Sequence, residues 1–155
     1  MNRTFRAVFA FLMLAGSWPS TSSANESFAR HDIIVKFDPR TRQIDVTDLI
    51  TFGLRNEISF RLANWMRVVH AKAGTEKVFP RRDQGVWRIS VSDRSFEKLT
   101  LNLTGKVPPL PTSSASTERR GAVAGLEGSY LPGFVAWLAD TGDEWVKFRL
   151  RVEVP

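Results

Sequence analysis

The chain has 155 residues, of which 43% are hydrophobic and 25% charged, and its formal net charge is +6. This length suits one domain, with or without a targeting segment. The composition is that of an ordinary globular protein and excludes a collagen, a coiled coil, an extensively disordered chain and a polytopic membrane protein. Cysteine is absent, which excludes a disulfide scaffold, a thiolate zinc site and a cysteine nucleophile.

The N-terminus has the features of a cleavable signal peptide. Arg3 and Arg6 precede an apolar run of ten residues, 7–16, and small or polar residues follow as far as Ala24. Small side chains at Ser22 and Ala24 suit a signal peptidase, which predicts cleavage after Ala24. The run has half of the roughly 20 apolar residues that a membrane-spanning helix needs, so we expect no membrane anchor after cleavage.

The exported part of the chain is only mildly basic. Residues 1–24 contain two of the 22 basic residues and none of the 16 acidic residues, so residues 25–155 carry a net charge of +4. Nucleic-acid binding needs a basic stripe or a recognisable motif, and we expect no nucleic-acid partner. The signal peptide and the absence of cysteine together predict a periplasmic or secreted protein of a Gram-negative bacterium.

Apolar and polar residues alternate along most of residues 25–155, which predicts short β-strands. Seven such segments, each with one polar face, predict an all-β fold: a single antiparallel β-sandwich domain, with a closed barrel as the alternative. Asp48 interrupts the otherwise apolar face of the second segment. The strongest alternation lies in the last segment, whose apolar positions we expect to be central to the core: Val146, Phe148, Leu150, Val152 and Val154.

The segment 107–120 breaks this alternation. It reads VPPLPTSSASTERR, and its prolines and small polar residues predict a mobile surface loop. Gly121, Gly125 and Gly128 follow, but they lack the preceding strand and following helix that a phosphate-binding motif requires. Bends in a β protein explain these glycines better.

Candidate catalytic groups are few. Neither histidine, His31 or His70, lies in an HExxH or comparable metal-ligand spacing. The sequence also has no GxSxG motif to expose a nucleophilic serine. We interpret His31 as a surface or hydrogen-bonded residue and His70 as a partly buried histidine on the apolar side of a strand. We therefore assign no catalytic residue and no metal ligand, and we expect no cofactor.

The stretch 130–138 concentrates large apolar side chains around Pro132 and Gly133. It is too irregular for an alternating strand, so not all of these side chains can point inward. Exposed apolar patches recruit partners or self-associate, and tyrosine and tryptophan are favoured anchors. We predict an interaction surface here, the alternative being that the stretch fills one open end of the sandwich; the candidate residues are Tyr130, Leu131, Phe134, Trp137 and Leu138.

In their order along the chain, several segments resemble the N-terminal β-sandwich domain of M1-family zinc metallopeptidases, the membrane alanyl aminopeptidase group. Residues 31–35, the turn Asp38-Pro39 and residues 43–46 resemble the family's opening hairpin. Residues 99–107 (LTLNLTGKV) resemble its L-x-I-x-Y-x-G-x-I strand, and residues 128–131 (GSYL) resemble its G-x-Y-x-S step. Residues 145–155 (WVKFRLRVEVP) resemble the strand that runs toward the catalytic domain. The resemblance covers roughly residues 30–155.

The resemblance implies a domain that packs against a catalytic domain and helps to wall its cleft. The family's HExxH zinc helix, downstream glutamate ligand and GxMEN loop are absent from the sequence, so no catalytic or metal residue is carried over. We expect a non-catalytic domain of a truncated or split metallopeptidase, which binds a catalytic domain, another protein or a second copy. The alternative is a stand-alone periplasmic β-sandwich that binds a protein or a glycan, the latter on tryptophan platforms.

Overall fold

The computed structural model describes residues 29–92, 94–109, 121–126, 128–143 and 146–155. The predicted signal peptide, 1–24, and most of the predicted loop, 110–120, lie outside these residues. Within them the chain forms eleven strands and one short 3₁₀ turn, and no α-helix. The expected all-β fold class is therefore confirmed.

The strands follow one another with short connections. Their bounds are β1 Ala29–Asp38, β2 Gln43–Arg55, β3 Glu57–Arg61, β4 Met66–Ala73, β5 Glu76–Val78, β6 Arg81–Asp83, β7 Val86–Ser90, β8 Phe96–Lys106, β9 Val123–Gly125, β10 Gly128–Tyr130 and β11 Val146–Glu153, with the 3₁₀ turn at Gly133–Val135. A six-stranded sheet has the order β11-β1-β2-β8-β4-β5, and a three-stranded sheet has the order β3-β7-β6. Strands β9 and β10 pair separately.

Pairing in the large sheet is antiparallel except at one edge. There β11 runs parallel to β1, with Ile33 opposite Leu150 and Val35 opposite Val152. Directly opposed residues lie on the same face of a sheet, so the alternate residues of β11 continue the inward-facing row of β1. This edge carries the candidate functional site.

The core lies between the two sheets. Alternate side chains along each strand point inward, and the buried residues of both sheets form one hydrophobic cluster. The central strands β2 and β8 supply Ile44, Ile50, Leu99 and Leu101, all fully buried, while Phe60 and Ile89 come from the small sheet. The large sheet and the small sheet thus pack as the two layers of the expected sandwich.

The turn between β1 and β2 is held by its own side chains. The Arg40 amide donates to Asp38 Oδ1 at 2.9 Å and the Thr41 hydroxyl donates to Oδ2 at 2.8 Å. The hydrogen bond from Thr41, and to a smaller extent that from the Arg40 amide, holds the pKa of the Asp38 carboxyl below its ordinary value. The turn sets a register in which Ile33 lies opposite Asp48.

Gly105 marks a close approach between β8 and β4. A Cβ atom at this position would lie 2.6 Å from the carbonyl oxygen of Trp65, too close for any side chain. Glycine is therefore needed because a neighbouring backbone passes over it.

His70 does not lie on the apolar side of its strand, and that expectation is wrong. The pairing of β4 with β8 shifts between Val68 and His70, leaving Val69 as an extra residue. Such a bulge reverses the faces of the residues that follow. His70 is consequently exposed.

Candidate functional site

The inner side of β11 is an apolar surface that is open to solvent. Four apolar residues of the strand and Val154 directly after it are each 39% to 72% exposed. These five residues, hereafter the open face, are Val146, Phe148, Leu150, Val152 and Val154. The expectation that they are central to the core is wrong. Because β11 is the outermost strand of the large sheet, its alternate residues continue the inner row of β1 beyond the region where the two layers meet.

A groove of about 370 Å³ adjoins the open face. One wall consists of Val146, Phe148 and Leu150, and the opposite wall is the segment 131–143, which includes Leu131 and Leu138. The lining is mainly apolar, with His31 and Ile33 of β1 also contributing to it. The groove can therefore receive an apolar side chain or ligand.

The segment 131–143 is fixed to the small sheet by a short bridge. Arg61 at the end of β3 and Asp140 exchange two backbone hydrogen bonds, of 2.9 and 3.1 Å, and their side chains form an ion pair at 2.9 Å. The Ala63 amide also donates to the carbonyl of Ala136 at 2.8 Å. These contacts hold the wall of the groove in place opposite β11.

The predicted interaction residues of 130–138 divide between surface and core. Tyr130 and Phe134 are exposed. Leu131 and Leu138 are half-buried and pack against the hydrophobic core. Trp137 is buried, and its indole Nε1 donates to the carbonyl of Leu131 at 3.1 Å. The structure thus brings Leu131, Trp137 and Leu138 to the groove, while Phe134 faces solvent outside it; whether they bind a partner stays a prediction.

A buried histidine–carboxylate pair lies beneath the groove. His31 Nδ1 is 2.9 Å from Oδ2 and 3.1 Å from Oδ1 of Asp48, and both residues are almost wholly buried. Among the described residues, no group hydrogen-bonds to the buried Nε2 of His31. Asp48 is thus the polar residue that interrupts the apolar face of β2, and the sequence alone did not reveal its partner.

Burial away from water raises the pKa of the Asp48 carboxyl above its ordinary value, and the hydrogen bond with His31 opposes this rise. When Asp48 is ionised it can only accept, so Nδ1 carries the proton and Nε2 of a neutral imidazole is an acceptor. When Asp48 is protonated it can donate to Nδ1, and Nε2 then carries the proton. The pair can therefore present either an acceptor or a donor at Nε2.

Among the described residues, no group of three or more histidine, aspartate or glutamate residues could hold a metal ion. The second histidine, His70, is exposed on β4, remote in the sheet from β1.

No helix in the described ranges is long and apolar enough to cross a membrane.

The tryptophans that the structure describes contribute to packing. Trp65 and Trp87 are half-buried against the core, and Trp137 is part of it. Trp87 stacks on Phe60 with ring centroids 6.5 Å apart. None of these three rings forms an exposed platform of the kind that binds sugars; Trp145 lies outside the described residues.

Comparisons with known proteins identify the class of fold. No protein-family model matches the sequence, and no curated protein matches it significantly. Solved structures do match: the M1 zinc metallopeptidase from Deinococcus radiodurans has a TM-score of 0.60 and 18% identity, over 84% of this chain and 32% of that chain. An aminopeptidase N family protein from Idiomarina loihiensis has a TM-score of 0.56 and 12% identity, over 81% of this chain and 22% of that chain.

This likeness is one of fold. The chain spans about a third of the length of the Deinococcus enzyme, and the resemblance expected from the sequence is confirmed at that level.

Proposed function

We propose that the chain is a non-catalytic domain related to the N-terminal β-sandwich of M1 peptidases, and that it binds a protein partner through the open face. The observation that carries this proposal is the exposure of five apolar side chains at alternate positions, four on β11 and one, Val154, directly after it. Monomeric proteins seldom leave such a row in water, and contiguous exposed apolar patches mark interaction sites.

The energetics favour an occupant for this surface. Full burial of one valine, leucine or phenylalanine side chain contributes about 1.5–3 kcal/mol. Several such side chains lie side by side on β11, next to a groove that can receive a protruding residue. Burial of the open face by a partner therefore contributes favourable free energy, which offsets part of the entropic cost of association.

The partner that best fits the fold likeness is a zinc-peptidase catalytic domain. The chain matches only a third of the Deinococcus enzyme, and the open face is an uncovered apolar surface to which such a domain could bind. Because we predict a signal peptide at residues 1–24, we propose that this association takes place in the periplasm or outside the cell.

The proposal can be tested by co-expression. If the DNA next to the gene contains a reading frame with an HExxH motif, its product should co-purify with this chain. Phe148→Ser should remove an apolar contact and reduce recovery of the complex, whereas Phe79→Ser, on an equally exposed phenylalanine away from the open face, should leave it unchanged. Absence of such a frame, or of a complex, would argue for the free ligand-binding module instead. Equal losses from both substitutions would show that the open face is not the interface.

A further inference from the structure

Strand β11 offers a free backbone edge as well as an apolar face. In the described part of the chain, β1 is its only neighbour in the sheet. It is eight residues long, and a strand of that length presents a row of N–H and C=O groups along its outer edge. An extended segment that pairs with this edge satisfies these groups and extends the large sheet by one strand.

The two faces of β11 differ in chemistry. The open face lies on the inner side, where a seventh strand would place alternate side chains next to Phe148 and Leu150. The outer face carries Lys147, Arg149 and Arg151 against one acid, Glu153. A strand that pairs with β11 therefore meets apolar side chains on one side and mainly cations on the other.

Neighbouring acids offset this positive charge only in part. Arg149 Nε is 3.6 Å from Asp32 Oδ1, but Arg30 contacts the same carboxylate oxygen at 3.2 Å. Arg151 Nε is 3.2 Å from Glu153. Both guanidinium groups remain largely exposed, so the outer face of β11 and its neighbour β1 keeps an excess of positive charge beside the free edge.

A strand with acidic outward side chains suits this charge better than a second copy of the chain. Antiparallel pairing of two β11 strands centred on Arg149 places Arg149 opposite its own copy and Lys147 opposite Arg151, and the register centred on Leu150 gives as many like-charged as opposite pairs. Like charges directly opposed across strands are destabilising, whereas opposite charges stabilise the pair. The favoured strand is one whose outward side chains are acidic.

We propose that β11 binds, by strand addition, an extended segment of a partner protein in which apolar residues alternate with acidic ones. The apolar residues cover the open face, the acidic residues face Arg149 and Arg151, and the backbone pairs with the free edge. This inference rests on the proposed function and specifies how the partner is held.

A synthetic nonapeptide of alternating valine and glutamate, capped at both ends, tests the proposal by titration into the full-length exported chain. Binding is expected, and replacing its glutamates by lysines should weaken it about tenfold. Two further peptides are N-methylated at every second residue. Methylation of the residues whose amides face β11 should abolish binding, whereas methylation of the alternate residues, whose amides point away from β11, should be tolerated. The double variant R149E/R151E should reverse the preference and favour the lysine peptide.

Three results would overturn strand addition: no binding, binding that tolerates both N-methylated peptides, or dimerisation of the chain through β11 in sedimentation experiments. Other results would reject the proposed function without rejecting strand addition, or the reverse. A peptidase complex that depends on Phe148 while no peptide binds would retain the interface and reject strand addition. Peptide binding without any peptidase partner would retain strand addition and reject the peptidase.

Discussion

Replacing Leu101 by aspartate is expected to unfold the protein, whereas the same replacement at Leu150 should change its stability little. Leu101 is 0% exposed on β8, between β2 and β4, while Leu150 is 43% exposed on the edge strand. A carboxylate without a partner at the buried position costs several kcal/mol, against a typical total stability of about 5–15 kcal/mol. At position 150 the carboxylate stays hydrated.

Thermal unfolding followed by circular dichroism measures both effects. Leu101→Asp should lose the cooperative transition, Leu150→Asp should retain it, and Arg149→Ser on the outer face should resemble the unsubstituted protein. Equal losses at positions 101 and 150 would place β11 in the core.

Replacing His31 by leucine is expected to destabilise the fold by about 1–3 kcal/mol, or more while Asp48 is ionised, because a buried carboxyl group loses its hydrogen-bond partner. Asp48 would remain fully buried without the hydrogen bond that His31 now makes at 2.9 Å. The double variant H31L/D48L should be much more stable than His31→Leu, because two apolar side chains suit the surrounding core. Chemical denaturation of His31→Leu, Asp48→Leu, the double variant and the unsubstituted chain gives a double-mutant cycle, which measures the coupling between the two side chains.

The loss in His31→Leu should depend on pH in a definite direction. Burial raises the pKa of Asp48 in the folded state above the unfolded value of 3.8, so the folded protein holds this proton more tightly. The bound proton of Asp48 therefore stabilises the folded state fully below pH 3.8, and this stabilisation is lost as the pH rises through the pKa of Asp48 in the folded protein. Removing His31 takes away the hydrogen bond that lowers this pKa, so the pKa of Asp48 rises further in the variant. The destabilisation by His31→Leu should therefore be smallest in acid, where Asp48 is protonated in both proteins. Additive single substitutions with no pH dependence would contradict a coupled pair.

The strands could be predicted from the sequence because alternation is a local property. The apolar positions of β2 and β8, such as Ile44 and Leu101, are buried as expected. The same pattern in β11 indicated an apolar face but not what covers it. Coverage depends on the position of β11 at the end of the sheet order, which is set by long-range pairing and leaves no local signal.

The candidate site had one readable signal. A polar residue at an inward position of an apolar strand, as at Asp48, indicates a buried polar contact. Identifying His31 as its partner required the register of the β1–β2 hairpin, in which Ile33 opposes Asp48. The bulge at Val69 could not be foreseen, because one extra residue reverses the side of His70 without changing the local pattern.

The most direct test of the account compares one thiol on the open face with one in the core. Val152 and Val35 lie opposite each other on the same side of neighbouring strands, yet they are 54% and 2% exposed. The chain has no cysteine, so V152C and V35C each introduce a single thiol of similar size. Under native conditions V152C should react with a maleimide nearly as fast as the unfolded chain, and V35C only as fast as the protein opens. Equal protection of both thiols would contradict the existence of the open face.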